Sequence, residues 1–263
     1  MFLSVSVCID HFIVSARVAK FLGVLVEIKM KLFIFSTKTP AFARALPLAV
    51  YVIFLMIESG LASLQEAEFS WFDEWDLRWI YPVKTIAVAA CLAYFWRYYT
   101  ELARSFRVRI SDWVLSIAVG IGVFVLWINL DQEFLMLGES GGFDPTTTDG
   151  SLNWFFVISR ILGAVLVVPL MEELFWRSFL LRWIQTPDFL TLEPAKVGLK
   201  AFIITAVLFG LGHNLWFAGI LAGAAYAWLY MRSGSLWVAV VSHMVTNAML
   251  GVWIVITGNW QFW

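Results

Sequence analysis

The sequence has few of the residues that most soluble chemistry uses. Charged side chains make up 14% of its 263 residues, where a soluble domain carries roughly a quarter. There are three histidines and two cysteines. Cys8 and Cys91 lie far apart in apolar surroundings with no CxxC pair, which excludes a disulfide framework or a thiolate metal site. The formal net charge is −1, so no basic field argues for nucleic acid. There is no repeat of fixed period, no HExxH motif and no small-residue cleavage site of a secretory leader.

Apolar and aromatic residues are abundant: 61% of the chain is hydrophobic, with 15 Trp, 23 Phe and 7 Tyr. Amphipathic rings at this density fit a membrane interface. The expected fold is all-α, a polytopic membrane protein of about seven to eight transmembrane helices. Hydrophobic segments fall at about 45–63, 80–98, 113–130, 154–182, 199–213, 217–231 and 235–257, several of them near the ~20 residues needed to cross the hydrocarbon core. Residues 45–263 read as one membrane domain. Residues 1–44 read as an N-terminal segment in which 1–29 is interrupted by Asp10, Arg17, Lys20 and Glu27, an eighth helix or an interfacial one. Met30, followed by a fresh Lys-led start, is an alternative initiator.

Loop charges alternate in sign. Lys29, Lys31, Lys38 and Arg44 precede the first span, Arg97, Arg104, Arg107 and Arg109 follow the second, and Arg182, Lys196, Lys200 and Arg232 border the later ones. Between them lie acidic loops with Glu66, Glu68, Asp73, Glu74 and Asp76, then Asp131, Glu133, Glu139, Asp144 and Asp149. The basic loops are therefore expected in the cytoplasm. The turn-rich stretch "GGFDPTTTDGS", 141–151, divides an N-terminal half without intramembrane chemistry from a C-terminal half that holds nearly all of it.

Within that half, "PLMEELFWRSFLLRW" places Glu172, Glu173 and Arg177 in an apolar run. An intramembrane ionisable residue is a functional hypothesis by default. On a helix, Glu173 and Arg177 at i,i+4 share a face and pair in the favourable order, and Glu172, about 100° round, is left without that partner. The Glu–Arg pair alone reads as a helix tie; the additional free carboxylate does not. "FGLGH" sets Phe209 and His213 one turn apart, and "HMVTN" puts His243 and Asn247 on one face. A lone histidine on an apolar helix is more often packing; two, with a glutamate pair on a third helix, are hard to attribute to packing. Counting ~1.5 Å per residue from the basic ends, Glu172 lies ~15 Å above Arg182, His243 ~12 Å above Ser235 and His213 ~20 Å above Lys200. The three are expected in one layer. The arms of the hairpin over 200–232 reach only ~22 Å against a ~30 Å core, so its tip "GHNLW" is expected to stop inside the membrane. Gly219, Gly223 and Ala227 at small-xxx-small spacing read as close helix packing.

EExxxR, FxxxH and HxxxN, in that order on successive helices over about residues 150–250, resemble the CPBP family of intramembrane proteases: type II CAAX prenyl proteases and bacteriocin-processing enzymes. The aromatic sequence and acidic linker also look like the CAAX-protease-related branch found beside bacterial exosortase systems. The resemblance implies peptide-bond hydrolysis of a membrane-associated peptide or protein substrate, in a bilayer that would be a bacterial inner membrane. In the residues' own terms, Glu172 serves as general base on a water, His213 orients that water, and His243 with Asn247 donates to the oxyanion. Glu173 and Arg177 hold the helix. Glu172, His213 and His243 also make a His₂Glu zinc set, whereas the resemblance leans to a metal-free, glutamate-activated water. "GESG", with Ser140, mimics a serine-protease motif but reads as a turn, and Cys91 has no histidine at its depth. The rival readings are a transporter or ion-binding protein with a midplane Glu/His/Asn site, against which no inverted repeat is visible, and a scaffold or immunity protein without turnover.

Overall fold

A computed structural model describes residues 39–66, 76–104, 108–138 and 142–263. The expectations placed on 1–38, on the acidic residues between 67 and 75, on Arg107 and on Ser140 lie outside the described residues. All seven expected segments are helices: α1 Pro40–Glu66, α2 Ile80–Tyr94, α3 Ile110–Trp127, α4 Trp154–Trp183, α5 Leu199–Leu211, α6 Trp216–Ser233 and α7 Leu236–Thr257. A short helix, Thr100–Arg104, lies between α2 and α3. Only helices satisfy the backbone of such apolar stretches in lipid. Of the seven, four are long and apolar enough to cross a membrane: α1, α3, α4 and α7. At 15 and 13 residues, α2 and α5 are shorter than a ~30 Å core demands.

The helix ends follow from local chemistry. The Thr39 hydroxyl accepts from Phe42 N at 3.2 Å, with Pro40 at the first helical position of α1. Asn153 caps α4 by accepting from Phe155 N at 3.2 Å. Gly234 and Gly258, each at φ 70°, end α6 and α7 in the left-handed conformation that favours glycine. Large apolar side chains stay exposed on the outer faces, among them Ile53, Met56, Ile86, Val114, Ile203 and Ile256. Such a surface suits lipid contact.

The acidic linker is ordered where described. Phe143 is buried against Tyr81 and Phe156. Hydrogen bonds from Thr147 and Ser151 hold the exposed Asp149 carboxyl down to about 2. Asn214, in the turn between α5 and α6, accepts from Leu137 N at 2.8 Å, so the stretch before the linker is tied to the hairpin tip.

Three sequence expectations are corrected. Arg44 and Arg182, read as loop charges, are 0% and 4% exposed and sit inside helices. Arg44 Nε donates to Glu101 at 2.8 Å and to Ser178 at 2.9 Å, and Arg182 Nε donates to Ser178 O at 2.7 Å. Together they tie α1, the short helix and α4 at the basic end, because a buried guanidinium needs several acceptors at once. The N-terminal half is not free of intramembrane charge: Lys84 of α2 is 1% exposed and pairs with Glu58 of α1 at 3.1 Å. Finally, α4 is not one regular helix but contains π-helical stretches at Gly163–Val167 and Leu174–Leu180.

Arg97, Arg109, Lys196, Lys200 and Arg232 remain exposed at the basic end, which keeps the orientation argument intact. A cysteine replacing Lys196 is predicted to be labelled only from the cytoplasmic side, and one replacing Thr148 only from the other. Labelling of the Lys196 position in intact cells by an impermeant maleimide would reverse the assignment.

Candidate active site

The centre of the site is the Glu173 carboxylate on α4, 0% exposed. Its Oε1 lies 3.1 Å from Arg177 Nη1 and accepts from His243 Nδ1 at 3.0 Å. The i,i+4 pair read from the sequence is present, and α7 adds a second cationic or neutral donor that spacing alone did not show. The Arg177 guanidinium also lies 4.3 Å from the Phe209 ring centroid and donates to Gly223 O at 3.3 Å. Phe209 therefore has a physical reason to be aromatic: one face meets Arg177, and His213 packs against it at 4.6 Å.

Glu172 is the neighbour left over. Its Oε2 is buried without a hydrogen-bond partner, an arrangement that native proteins reserve for exceptions. It lines a cavity of about 400 Å³ together with His213, His243 and Asn247. The sequence placed Glu172, His213 and His243 in one layer and Asn247 on the face of His243, and all four share one chamber.

Each of the other three is oriented through one polar atom. His213 lies just past the C-terminal end of α5, where Nδ1 donates to Phe209 O at 2.7 Å; in the neutral ring Nε2 is then an acceptor. With Nδ1 held by Glu173, His243 can donate from Nε2 only as the imidazolium. Asn247 Nδ2 donates to Ala164 O at 2.7 Å. Ala164 lies in the first π-helical stretch of α4, where the shifted backbone ladder makes a carbonyl available to a neighbouring helix. One N–H of the Asn247 amide remains for another acceptor.

The sequence missed the support behind His243. Tyr226 of α6 stacks on its ring, with centroids 4.8 Å apart and planes 18° from parallel. The Tyr226 hydroxyl donates to Thr246 at 2.8 Å, and Thr246 donates to Gly120 O of α3 at 2.8 Å. Tyr226 falls between Gly223 and Ala227, so the stripe read as packing does carry packing. A Cβ on Gly219 would come within 2.9 Å of Gly210 Cα, and one on Gly223 within 3.1 Å of Ala206 O. That close approach packs α5 and α6 against each other.

Among the described residues, no three His, Cys, Asp or Glu side chains are grouped so as to hold a metal ion. The cavity is lined from Glu172 and Tyr226 up to Arg160, Asn214 and Trp263, and no described residue of 95–109 or 184–198 at the basic end contributes to it.

Removing Arg177 leaves Glu173 buried beside His243 alone, a broken pair of the kind that costs about 3–5 kcal/mol. Arg177→Ala is predicted to lower both the melting temperature in detergent and any activity. The double change Glu173→Gln with Arg177→Met is predicted to recover much of the stability, because no lone charge remains. An Arg177→Ala protein that melts with the parent but is inactive would show the guanidinium acting on substrate instead.

Comparison with known proteins agrees with the motifs. Residues 153–249 match the family described as type II CAAX prenyl endopeptidase, Rce1-like. No curated protein and no solved structure matches the chain. The match covers about a third of the sequence and contains Glu172, Glu173, Arg177, His213, His243 and Asn247. Residues 153–249, which hold the whole candidate site, are similar to the Rce1-like type II CAAX prenyl endopeptidase family.

Proposed function

We propose that the chain is an intramembrane endopeptidase that cuts a peptide bond of a membrane-associated protein through a water activated by Glu172. The observation that carries this reading is the asymmetry of the glutamate pair. Glu173 is engaged through Oε1 by Arg177 and His243, whereas no described side chain bonds Glu172; each carboxylate keeps its Oε2 buried without a partner, and of the two only Glu172 lines the cavity. In this reading a water is held between Glu172 and the Nε2 lone pair of His213. Glu172 takes its proton as the oxygen adds to the scissile carbonyl carbon. The carbonyl oxygen gains charge and accepts from the remaining Asn247 N–H and from His243 Nε2 in its imidazolium form. Glu172 then gives the proton to the leaving amine, which closes the cycle without a covalent enzyme intermediate. An exosortase-linked protein tail in a bacterial inner membrane is a substrate of this class.

One observation keeps a zinc reading in play. The Nδ1 atoms of His213 and His243 are held by a carbonyl and a carboxylate, which is how metal-binding histidines are commonly steadied with Nε2 free. Glu172, His213 and His243, which are not grouped so as to hold a metal in this structure, would have to draw together to serve as its ligands and polarise the water.

Glu172→Gln is predicted to abolish cleavage of candidate membrane substrates while binding them as the parent does, since shape is kept and the base is lost. Substantial residual turnover would remove Glu172 from the role. Chelation followed by dialysis is predicted to leave parent activity unchanged, with well under one zinc per chain by elemental analysis. Stoichiometric zinc, with activity lost on chelation and restored on adding it back, would establish the metal mechanism.

A further inference from the structure

The cavity contains a cation that the proposed chemistry does not use. Arg160 lies on α4 near the acidic-loop end, lines the same chamber as Glu172, and has no hydrogen bond or ion pair to its guanidinium among the described residues. Its Cζ sits 4.2 Å from the Tyr81 ring centroid and 5.0 Å from that of Phe143. The Tyr81 hydroxyl donates to Arg160 O at 3.2 Å and so fixes the backbone of the same turn. Lys84 also approaches Tyr81, at 5.2 Å from its centroid, but Lys84 has Glu58 as its counterion. Two cations thus approach one ring, and the Glu58 carboxylate pairs with Lys84. Arg160 is half-buried, six residues into a segment apolar enough to span a membrane, where an ionisable residue is a functional hypothesis by default. Aromatic contact satisfies the π-face of a guanidinium, while its N–H donors suit two parallel hydrogen bonds to a carboxylate.

The geometry points to Arg160 as an anchor for a carboxylate of the peptide substrate. The inference rests on the protease reading, which it deepens by adding an anionic recognition element. Arg160 precedes Glu172 by twelve positions, roughly 18 Å along the helix. An extended peptide covers about 3.3–3.6 Å per residue, so the anchored carboxylate sits on the order of five residues from the bond that Glu172 addresses. The linker contributes through Phe143, which covers one side of the guanidinium. Two sources supply the same chemistry: the C-terminal carboxylate of the substrate, or an acidic side chain near its end.

The test uses the full chain as Glu172→Gln, to prevent turnover, and three palmitoyl-anchored octapeptides identical except at the last residue of the third. The first ends in a free carboxylate, the second in an amide, and the third in an amide with glutamate as its last residue. Binding in detergent is read by quenching of tryptophan fluorescence. The free acid is expected to bind about tenfold tighter than the amide, equivalent to about 1.4 kcal/mol. If the terminal carboxylate is recognised, the glutamate amide behaves as the plain amide; if an acidic side chain serves, it binds as the acid does. Adding Arg160→Gln is expected to erase the preference, and Arg160→Lys to keep part of it. Equal binding of all three peptides with Arg160 intact would overturn the anchor, as would absence of binding by the acid or a preference that survives Arg160→Gln. Hydrolysis by the parent protein is scored separately. Cleavage without a carboxylate preference removes the anchor alone, whereas an Arg160-dependent preference without cleavage removes the protease reading alone.

Discussion

A buried carboxylate has to be matched, and the arrangement of this site follows from how Glu173 is matched. Its Oε1 lies within 3.1 Å of Arg177 and 3.0 Å of His243. The first contact stays within α4 and the second crosses to α7, so one oxygen fixes the register of two helices. Because that charge is matched through Oε1, the adjacent Glu172 can be placed at a cavity wall without a counterion of its own. Without the engagement of Glu173, two neighbouring carboxylates in an apolar interior would each oppose ionisation of the other.

The same economy of contacts recurs around Phe209. It receives Arg177 on its ring, packs on His213, and meets Trp176 at 5.7 Å. Its helix approaches α6 closely because Gly210, Gly219 and Gly223 leave no side chain between the backbones. The expectation of two short arms holds only for α5, at 13 residues, since α6 has 18; His213, in the turn after α5, lines the cavity. At the basic end, Arg44, Glu101, Ser178 and Arg182 form a buried polar floor, and the lining of the chamber runs toward the opposite, acidic-loop end. Catalytic candidates lie deep in it and Arg160 lies nearer the linker.

The sequence exposed the helices and the motif residues because both obey local rules. Apolar runs of fixed length have one backbone solution in lipid, and i,i+4 spacing decides which side chains share a face. The Glu173–Arg177 pair and the solitary Glu172 were legible in that way. What crosses between helices was not. The His243–Glu173 bond, the Tyr226 stack, the Asn247–Ala164 bond and the Lys84–Glu58 pair join residues tens of positions apart, and no periodicity encodes a partner at that separation. Arg44 and Arg182 were misplaced for a related reason, since a basic residue at a helix end reads as a loop charge until its acceptors are known. The π-helical stretches of α4 have no signature in composition, yet one of them makes the Ala164 carbonyl available to Asn247.

The central claim is a division of labour: Glu173 holds the structure and Glu172 is free of it. Thermal unfolding of the purified Glu172→Gln and Glu173→Gln proteins, side by side in one detergent, measures this directly. The account predicts that Glu172→Gln melts at or above the parent temperature, since it neutralises an unpartnered buried group. Glu173→Gln is predicted to melt clearly below it, since Arg177 is left buried without its carboxylate. The reverse order, or an equal loss in both, would contradict it.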